Sequence, residues 1–482
     1  MSLRQVTIGS IAMSAVGILR MIAQMAVIPV LARYITPHDY GIMAIAMPFV
    51  LFAMMFSDAG ISSSLIRTDS KQTSEWSTGF WFIVLMGLFL SLVITISGYG
   101  LSVFMSQDIL FPVISCLSLS IVLQSFATVP GAALQQHHLY PTIAYIEITS
   151  IFISLISTLL AAIIGWGVWS LVVQQVVHYT VKLILTSIFS PFCPRLIFKT
   201  KEIIDHLKFG RDMLGSNFIY FLRQSIINTL MGRVLGASPV GIFSMATLFS
   251  DLPNRVVSGP LQVVLYPRMT RLKEETDSIR ALYLFVSKIL SIVVIPAYGM
   301  IAIAHEPVFT IVLSEKWQQA GHIFLLLAPA GILQSVTALR STILMSLGKT
   351  QLMLRQTAES TLLTLILFVI LIWFGIEWAT IAVSISTLIA IPRFLHQIFP
   401  FINLTMKDYI KAVMTPAILT TLAILTYMDI TLLDLSNLEK FICAFVLGGI
   451  AFLASILLQF KGLKNEIQNL SHILNKTLVV EP

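Results

Sequence analysis

Long apolar runs alternate with short polar turns along almost the whole chain. Runs of about 18 to 27 residues lie at 7–32, 39–63, 76–102, 109–133, 143–164 and 168–190. A basic polar stretch follows, Pro191 to Phe209, with Arg195, Lys199, Lys201 and Lys208. The runs then resume at 210–235, 239–265, 279–302, 322–346, 356–375 and 378–399, and after a second basic connection at 410–428 and 438–460. A helix of about 20 apolar residues crosses the hydrocarbon of a bilayer. The pattern therefore predicts an all-α polytopic membrane protein with about 14 transmembrane helices.

The pattern also repeats. Arg33-x7-Gly41-Ile42-x3-Ala46 returns without a gap as Arg233-x7-Gly241-Ile242-x3-Ala246, an offset of 200 residues. That offset holds an even number of spans, so both copies enter the membrane from the same side and the repeat is parallel. A second echo supports it: His137-His138-Leu139-Tyr140 leads to Glu147, as Gly348-Lys349-Thr350-Gln351-Leu352 leads to Glu359. The expected layout is two pseudo-symmetric six-helix lobes, 1–190 and 210–400, around a central cavity and joined by a cytoplasmic linker at 191–209. Two additional helices follow within 401–460. A tail at 461–482 places Leu463, Ile467, Leu470 and Leu474 on one helical face, as in an interfacial amphipathic helix.

Composition sharpens this. The chain is 57% hydrophobic and 11% charged, with a mean hydropathy of +0.89, against about 25% charged in soluble domains. The net charge of +7 is no nucleic-acid footprint, because the cations sit between apolar runs rather than in one patch. They set topology instead. With the N-terminus in the cytoplasm, 20 of the 30 Lys and Arg fall on the cytoplasmic side and four (Arg33, Arg233, Lys316, Lys440) on the other. Both termini are then cytoplasmic. The first run is too long for a signal-peptide core and reads as a retained helix. Cys116, Cys193 and Cys443 are scattered and offer neither a disulfide framework nor a metal spacing.

Six cations remain inside the runs: Arg20, Lys182, Arg223, Arg255, Lys288 and Arg340. Lys182 and Lys288 read as side chains that snorkel toward an interface. Arg20 and Arg223 sit near mid-span, where a cation is costly and needs a polar environment. Arg223 lies three residues past the repeat equivalent of Arg20, so both project from about the same face of paired helices. Arg255 has Asp251 one turn before it, with Pro253 between them, so a local pair competes with a ligand role. Asp58, near the end of the second run, is either a helix-end charge or the acid that balances Arg20. Several arginines with few carboxylates favour an anionic ligand, and guanidinium forks match phosphate geometry. Neither a catalytic triad nor a metal cluster nor a phosphate-cradling glycine loop is present, so transport is expected rather than catalysis. The short outer loops argue against a membrane polymerase or ligase.

These residues resemble bacterial polysaccharide flippases of the multidrug/oligosaccharidyl-lipid/polysaccharide exporter superfamily. The first-helix arginine followed by PVLARYITPHDYGIMAIA is similar to that family's R-x-L-x-P-x-x-Y-G opening. Leu134-Gln135-Gln136-His137-His138-Leu139 with Glu147, and Ser346-Leu347-Gly348-Lys349-Thr350, resemble its two cytoplasmic turns. The likeness covers about residues 5–460. It implies lobes that rock between inward-open and outward-open states and carry an undecaprenyl-diphosphate-linked oligosaccharide across the bacterial inner membrane, for exopolysaccharide or O-antigen synthesis. Arg20, Arg223, Arg255 and Arg340 match the family's cavity cations, expected to meet the diphosphate. Only Arg20 and Asp58 answer to the further early charges of the lipid II flippase branch, which weakens a peptidoglycan role. A cation-coupled multidrug antiporter of the same superfamily is the alternative, and it calls for cavity carboxylates. No cofactor is expected. With no nucleotide-binding motif in the chain, a Na⁺ or H⁺ gradient is the expected energy source. Other polysaccharide-assembly proteins stand as candidate partners, and nucleic acid does not.

Overall fold

The computed structural model describes residues 17, 19, 21, 23–67, 73–199, 218–219, 221–273, 275–433 and 435–478, and among them every regular element is a helix. The chain divides into two compact units, 1–241 and 242–482. The first contains α1 (23–34), α2 (Pro37–Asp58), α3 (Ile61–Arg67), α4 (Thr73–Met105), α5 (Leu110–Gln136), α6 (Tyr140–Ile163), α7 (Val168–Phe189) and α8 (221–235). Helix α9 (Ala237–Ser250) begins there and runs on into the second unit. Beyond it come α10 (Gly259–Arg271), α11 (Thr276–Ile303), α12 (His305–Val312), α13 (Gln318–Val336) and α14 (Arg340–Ser346). The unit ends with α15 (Thr350–Leu371), α16 (Ile376–Ile398), α17 (Met406–Thr431) and α18 (Asn437–Leu478).

Eleven helical stretches among the described residues are long and apolar enough to cross a bilayer. Each answers to one of the sequence runs. The other three runs do not form such a span among the described residues, so the count of fourteen is not reproduced. Runs 7–32 and 210–235 include residues outside those described. Run 239–265 is broken: Pro253 and Pro260 lack the backbone N–H that a helix interior needs, and between them Asn254–Ser258 forms a π turn.

Local chemistry sets the boundaries. Thr36 caps α2 through a reciprocal box: its Oγ1 accepts from the Asp39 backbone N–H at 3.2 Å, and its own N–H donates to Asp39 Oδ2 at 3.3 Å. Pro37 supplies the preset φ of a first helical position. At the other end Ala59 (φ 46°) and Gly60 (φ 74°) are left-handed and stop the helix.

The faces then follow from the solvent each one meets. Along α4, Leu85, Phe89, Leu92, Ile96, Tyr99 and Val103 recur every three or four residues and are all exposed. In water such a stripe would drive association; in a bilayer it is the lipid face. The opposite face packs closely on α5. A Cβ on Gly87 would lie 2.0 Å from Ser125 Oγ, and one on Gly98 2.8 Å from Ile114 Cγ2. Thr95 and Ser118 share a hydroxyl hydrogen bond of 2.9 Å there, and in the second unit Thr364 and Ser386 do the same at 2.8 Å. Small residues and hydroxyl bonds are what hold helices together where lipid removes the hydrophobic driving force.

Contacts within the first unit fix the described part of the linker and helix α8. The described part of the linker, 191–199, lies along the start of α4: Trp81 Nε1 donates to the Arg195 carbonyl (2.8 Å), and the Arg195 and Lys199 N–H groups donate to Ser77 Oγ and Thr78 Oγ1. Helix α8, assigned on the sequence to the second lobe, falls in the first compact unit. It packs on α2, with the Phe52 and Phe221 rings stacked at 4.0 Å and Asn228 Nδ2 donating to the Ala44 carbonyl at 2.7 Å. At the far end, α18 runs unbroken from Asn437 to Leu478, 42 residues or about 63 Å, and so continues past residue 460. The tail backbone is thus an extension of the last span rather than a separate helix.

Candidate functional site

The four arginines singled out as anion ligands have different surroundings. Arg20 lies outside the described residues. Arg223 is half-buried on α8 in the first unit, beside the aromatic contact of Phe221 with α2. Arg255 sits on the π turn of the second unit, its own N–H still donating to the Asp251 carbonyl at 3.1 Å. Its side chain is 57% exposed and its guanidinium stands 4.0 Å from Asp251 Oδ2, at the outer limit of an ion pair. Arg340 opens α14. Its guanidinium carbon lies 5.6 Å from the centre of the Phe394 ring, a cation–π contact. Its Nη1 is buried with no hydrogen-bond partner among the described residues. A guanidinium seated on a ring and short of one acceptor suits an anion.

Asp58 has a local task. Its two carboxylate oxygens accept from the Ser62 N–H (3.0 Å) and hydroxyl (2.8 Å), which satisfies donors at the start of α3 after the left-handed break. Whether it also faces Arg20 concerns a residue outside those described.

The embedded lysines are paired. Lys182 Nζ on α7 lies 2.5 Å from Glu147 Oε1 on α6, and Lys288 Nζ on α11 lies 3.0 Å from Glu466 Oε1 on α18. Reading both as snorkelling chains accounted for their long stems and missed their acids. The second unit repeats the first of these pairs: Arg393 on α16 lies 3.4 Å from Glu359 on α15, which Arg355 also contacts at 2.7 Å. Glu147 and Glu359 were already matched by the sequence echo. Applying its offset of about 211 residues to Lys182 leads to Arg393, so the signal for the second cation was there.

Two cavities of similar size contrast in chemistry. In the first unit, about 450 Å³ is enclosed between α2, α3, α5, α6 and α7, with Asp58, Gln124, Thr128, Glu147, Tyr179 and Lys182 among its walls. In the second, about 460 Å³ between α11 and α18 is lined almost wholly by apolar groups, including Val293, Met300, Phe441, Phe445 and Gly448. No group of three or more His, Cys, Asp or Glu among the described residues is placed to hold a metal ion.

Comparison with known proteins places this architecture. The chain is 25% identical to the succinoglycan biosynthesis transport protein ExoT of Rhizobium meliloti over 302 residues, 62% of this chain and 61% of that one, so it spans less than two thirds of that relative. It is 24% identical to the lipopolysaccharide biosynthesis protein WzxC of Escherichia coli over 343 residues, 70% of this chain and 69% of the relative. Its fold is that of the lipid II flippase MurJ in an inward closed conformation, with a TM-score of 0.73 at 14% identity over 95% of this chain and 99% of that one. Residues 30–322 match the family described as polysaccharide biosynthesis protein. That match covers more than half of the chain, and this multi-pass membrane protein belongs to that family.

Proposed function

We propose that the protein is a flippase. It carries oligosaccharide repeat units linked to undecaprenyl diphosphate from the cytoplasmic to the periplasmic leaflet of a bacterial inner membrane, by alternating access, for exopolysaccharide or O-antigen synthesis. The observation that carries this reading is the coincidence of family and fold: a polysaccharide-biosynthesis family match over residues 30–322 on a lipid-flippase architecture spanning 95% of the chain. The chain is a transporter rather than an enzyme.

The chemistry of the chain agrees with such a cargo. Arg20, Arg223, Arg255 and Arg340 are the proposed ligands of the diphosphate, with Asp58 and Asp251 as balancing charges. Arg340 has an unfilled donor, and Arg255 is held only loosely by its acid. The apolar cavity between α11 and α18 matches a polyprenyl chain, which buries CH groups at about 0.8 kcal/mol each. The positive-inside distribution supports cytoplasmic termini and so a cytoplasmic origin for the cargo. An ion gradient is the proposed energy source. Other polysaccharide-assembly proteins are proposed partners.

Flipping of a fluorescent undecaprenyl-diphosphate oligosaccharide in proteoliposomes tests the reading. Wild type should move the lipid, and Arg223→Ala, Arg255→Ala and Arg340→Ala should insert normally and lose transport. Wild-type vesicles that move no such lipid but export a cationic dye would replace the flippase with the antiporter.

A further inference from the structure

The polar cavity of the first unit has a chemistry that a diphosphate site does not need. Its walls come together at one end of the unit. Asp58 closes α2, Gln135 lies at the end of α5, Ile143 near the start of α6 and Thr186 near the end of α7. The described segments at that end carry Arg67, Arg195 and Lys199, and under the positive-inside rule it is the cytoplasmic end.

Its polar groups hold one another in place. Ser62 fixes the Asp58 carboxylate, and Lys182 fixes Glu147. Thr128 donates to the Gln124 carbonyl at 2.8 Å, while Gln124 Nε2 turns to Thr128 Oγ1 at 3.5 Å. Gln124 Oε1 is left buried and accepts no hydrogen bond among the described residues. A buried amide oxygen without a donor is costly unless something supplies one.

The choice of ligand follows from the charges. Among the described lining residues, two carboxylates against one ammonium disfavour a phosphate or an acidic sugar, and an alkyl chain would leave those carboxylates dry. None of Arg223, Arg255 and Arg340 lines the cavity. Fixed carboxylates, amides and hydroxyls suit a ligand whose every hydroxyl both donates and accepts. The Tyr179 ring and the Met54 and Met55 side chains offer apolar surface for its CH faces. A volume of about 450 Å³ falls in the range of small-molecule sites.

We propose that this cavity is a saccharide subsite. It takes an uncharged sugar or disaccharide of the cargo at the cytoplasmic end of the first unit, in a cavity that none of Arg223, Arg255 and Arg340 lines. The subsite rests on the flippase reading and adds selection of the glycan to it.

Two lipids separate the two ideas: undecaprenyl diphosphate alone, and undecaprenyl diphosphate carrying a neutral hexose disaccharide. Binding to the full-length protein in nanodiscs should be about tenfold tighter for the second. Gln124→Ala and Thr128→Val should each abolish that increment, whereas Arg340→Ala should weaken both lipids alike. A second readout avoids loss-of-function variants. In protein with Cys116, Cys193 and Cys443 replaced by serine, Ser63→Cys at the cavity wall should be alkylated more slowly with the disaccharide lipid than with the bare one. Equal binding of both lipids by wild type, an increment that survives both variants, or equal alkylation rates would overturn the subsite and leave the flippase intact. If wild type binds neither lipid, the flippase reading falls and the subsite with it.

Discussion

Gly41 and Gly241 occupy the same place in the two copies of one motif, and each lies against the backbone at the start of the other's helix. A Cβ on Gly41 would stand 1.8 Å from the Ala237 carbonyl oxygen, and one on Gly241 would stand 1.8 Å from the Pro37 carbonyl oxygen. The contact is reciprocal, each motif's glycine meeting the backbone that opens the other's helix. Neither obstacle is a side chain that could rotate away.

Gly41→Ala and Gly241→Ala should therefore each destabilise the protein by about 1–3 kcal/mol or more, since the clash is with backbone. Both should lower the thermal midpoint measured by size-exclusion recovery after heating. An unchanged midpoint in either variant would mean that the helix starts separate freely.

The Glu147–Lys182 pair is mostly shielded, its side chains 17% and 25% exposed. Removing one partner takes from the other charge the contact it makes in this pair. Lys182→Met alone and Glu147→Gln alone should each cost about 1–3 kcal/mol, and the double variant less than the two together. A double-mutant cycle by thermal denaturation measures the coupling. Strict additivity would show that the two charges do not depend on each other.

Lys288 is 14% exposed and holds Glu466 across from the extension of α18. Glu466→Gln should weaken the docking of that extension, and Lys288→Met in the same chain should restore it. Limited proteolysis of the C-terminal segment reads both. Equal cleavage of wild type and Glu466→Gln would leave the ion pair without a role in docking.

His305, the first residue of α12, titrates below the ordinary imidazole value. Burial is the main cause and the neighbouring His322 adds to it, against the Ala302 carbonyl and Glu306, which act the other way. The folded protein thus resists a proton that the unfolded chain accepts. Its contribution to stability is complete above about pH 6.5 and is lost as pH falls through the lower folded value. The thermal midpoint should drop as pH falls below about 6.5, less steeply in His305→Gln. Parallel pH profiles for the two proteins would contradict this.

Arg340→Lys tests whether geometry or charge matters at that site. The guanidinium is planar over Phe394 and offers forked donors; an ammonium offers neither. Lipid flipping should fall about tenfold, the effect of one charge-assisted hydrogen bond of about 1.4 kcal/mol, with the protein still folded. Full activity in the lysine variant would reduce the site to a simple positive charge.

The sequence by itself determined the membrane class, eleven of the spans to within about two helical turns at either end, and the repeat. Those properties depend on local hydropathy and on periods read along one strand of text. The Glu147/Glu359 echo was legible for the same reason. Tertiary structure alone decided that Lys182 and Lys288 end on carboxylates 35 and 178 residues away, because a cation in an apolar run takes whichever acid the packed helices bring near. It alone decided that run 239–265 breaks at a π turn and that Asp58 serves the start of α3. It also grouped Gln124 with Asp58, Glu147 and Tyr179 around one cavity. Residues on four different helices share a wall only after those helices pack, and no periodicity along the chain records that meeting.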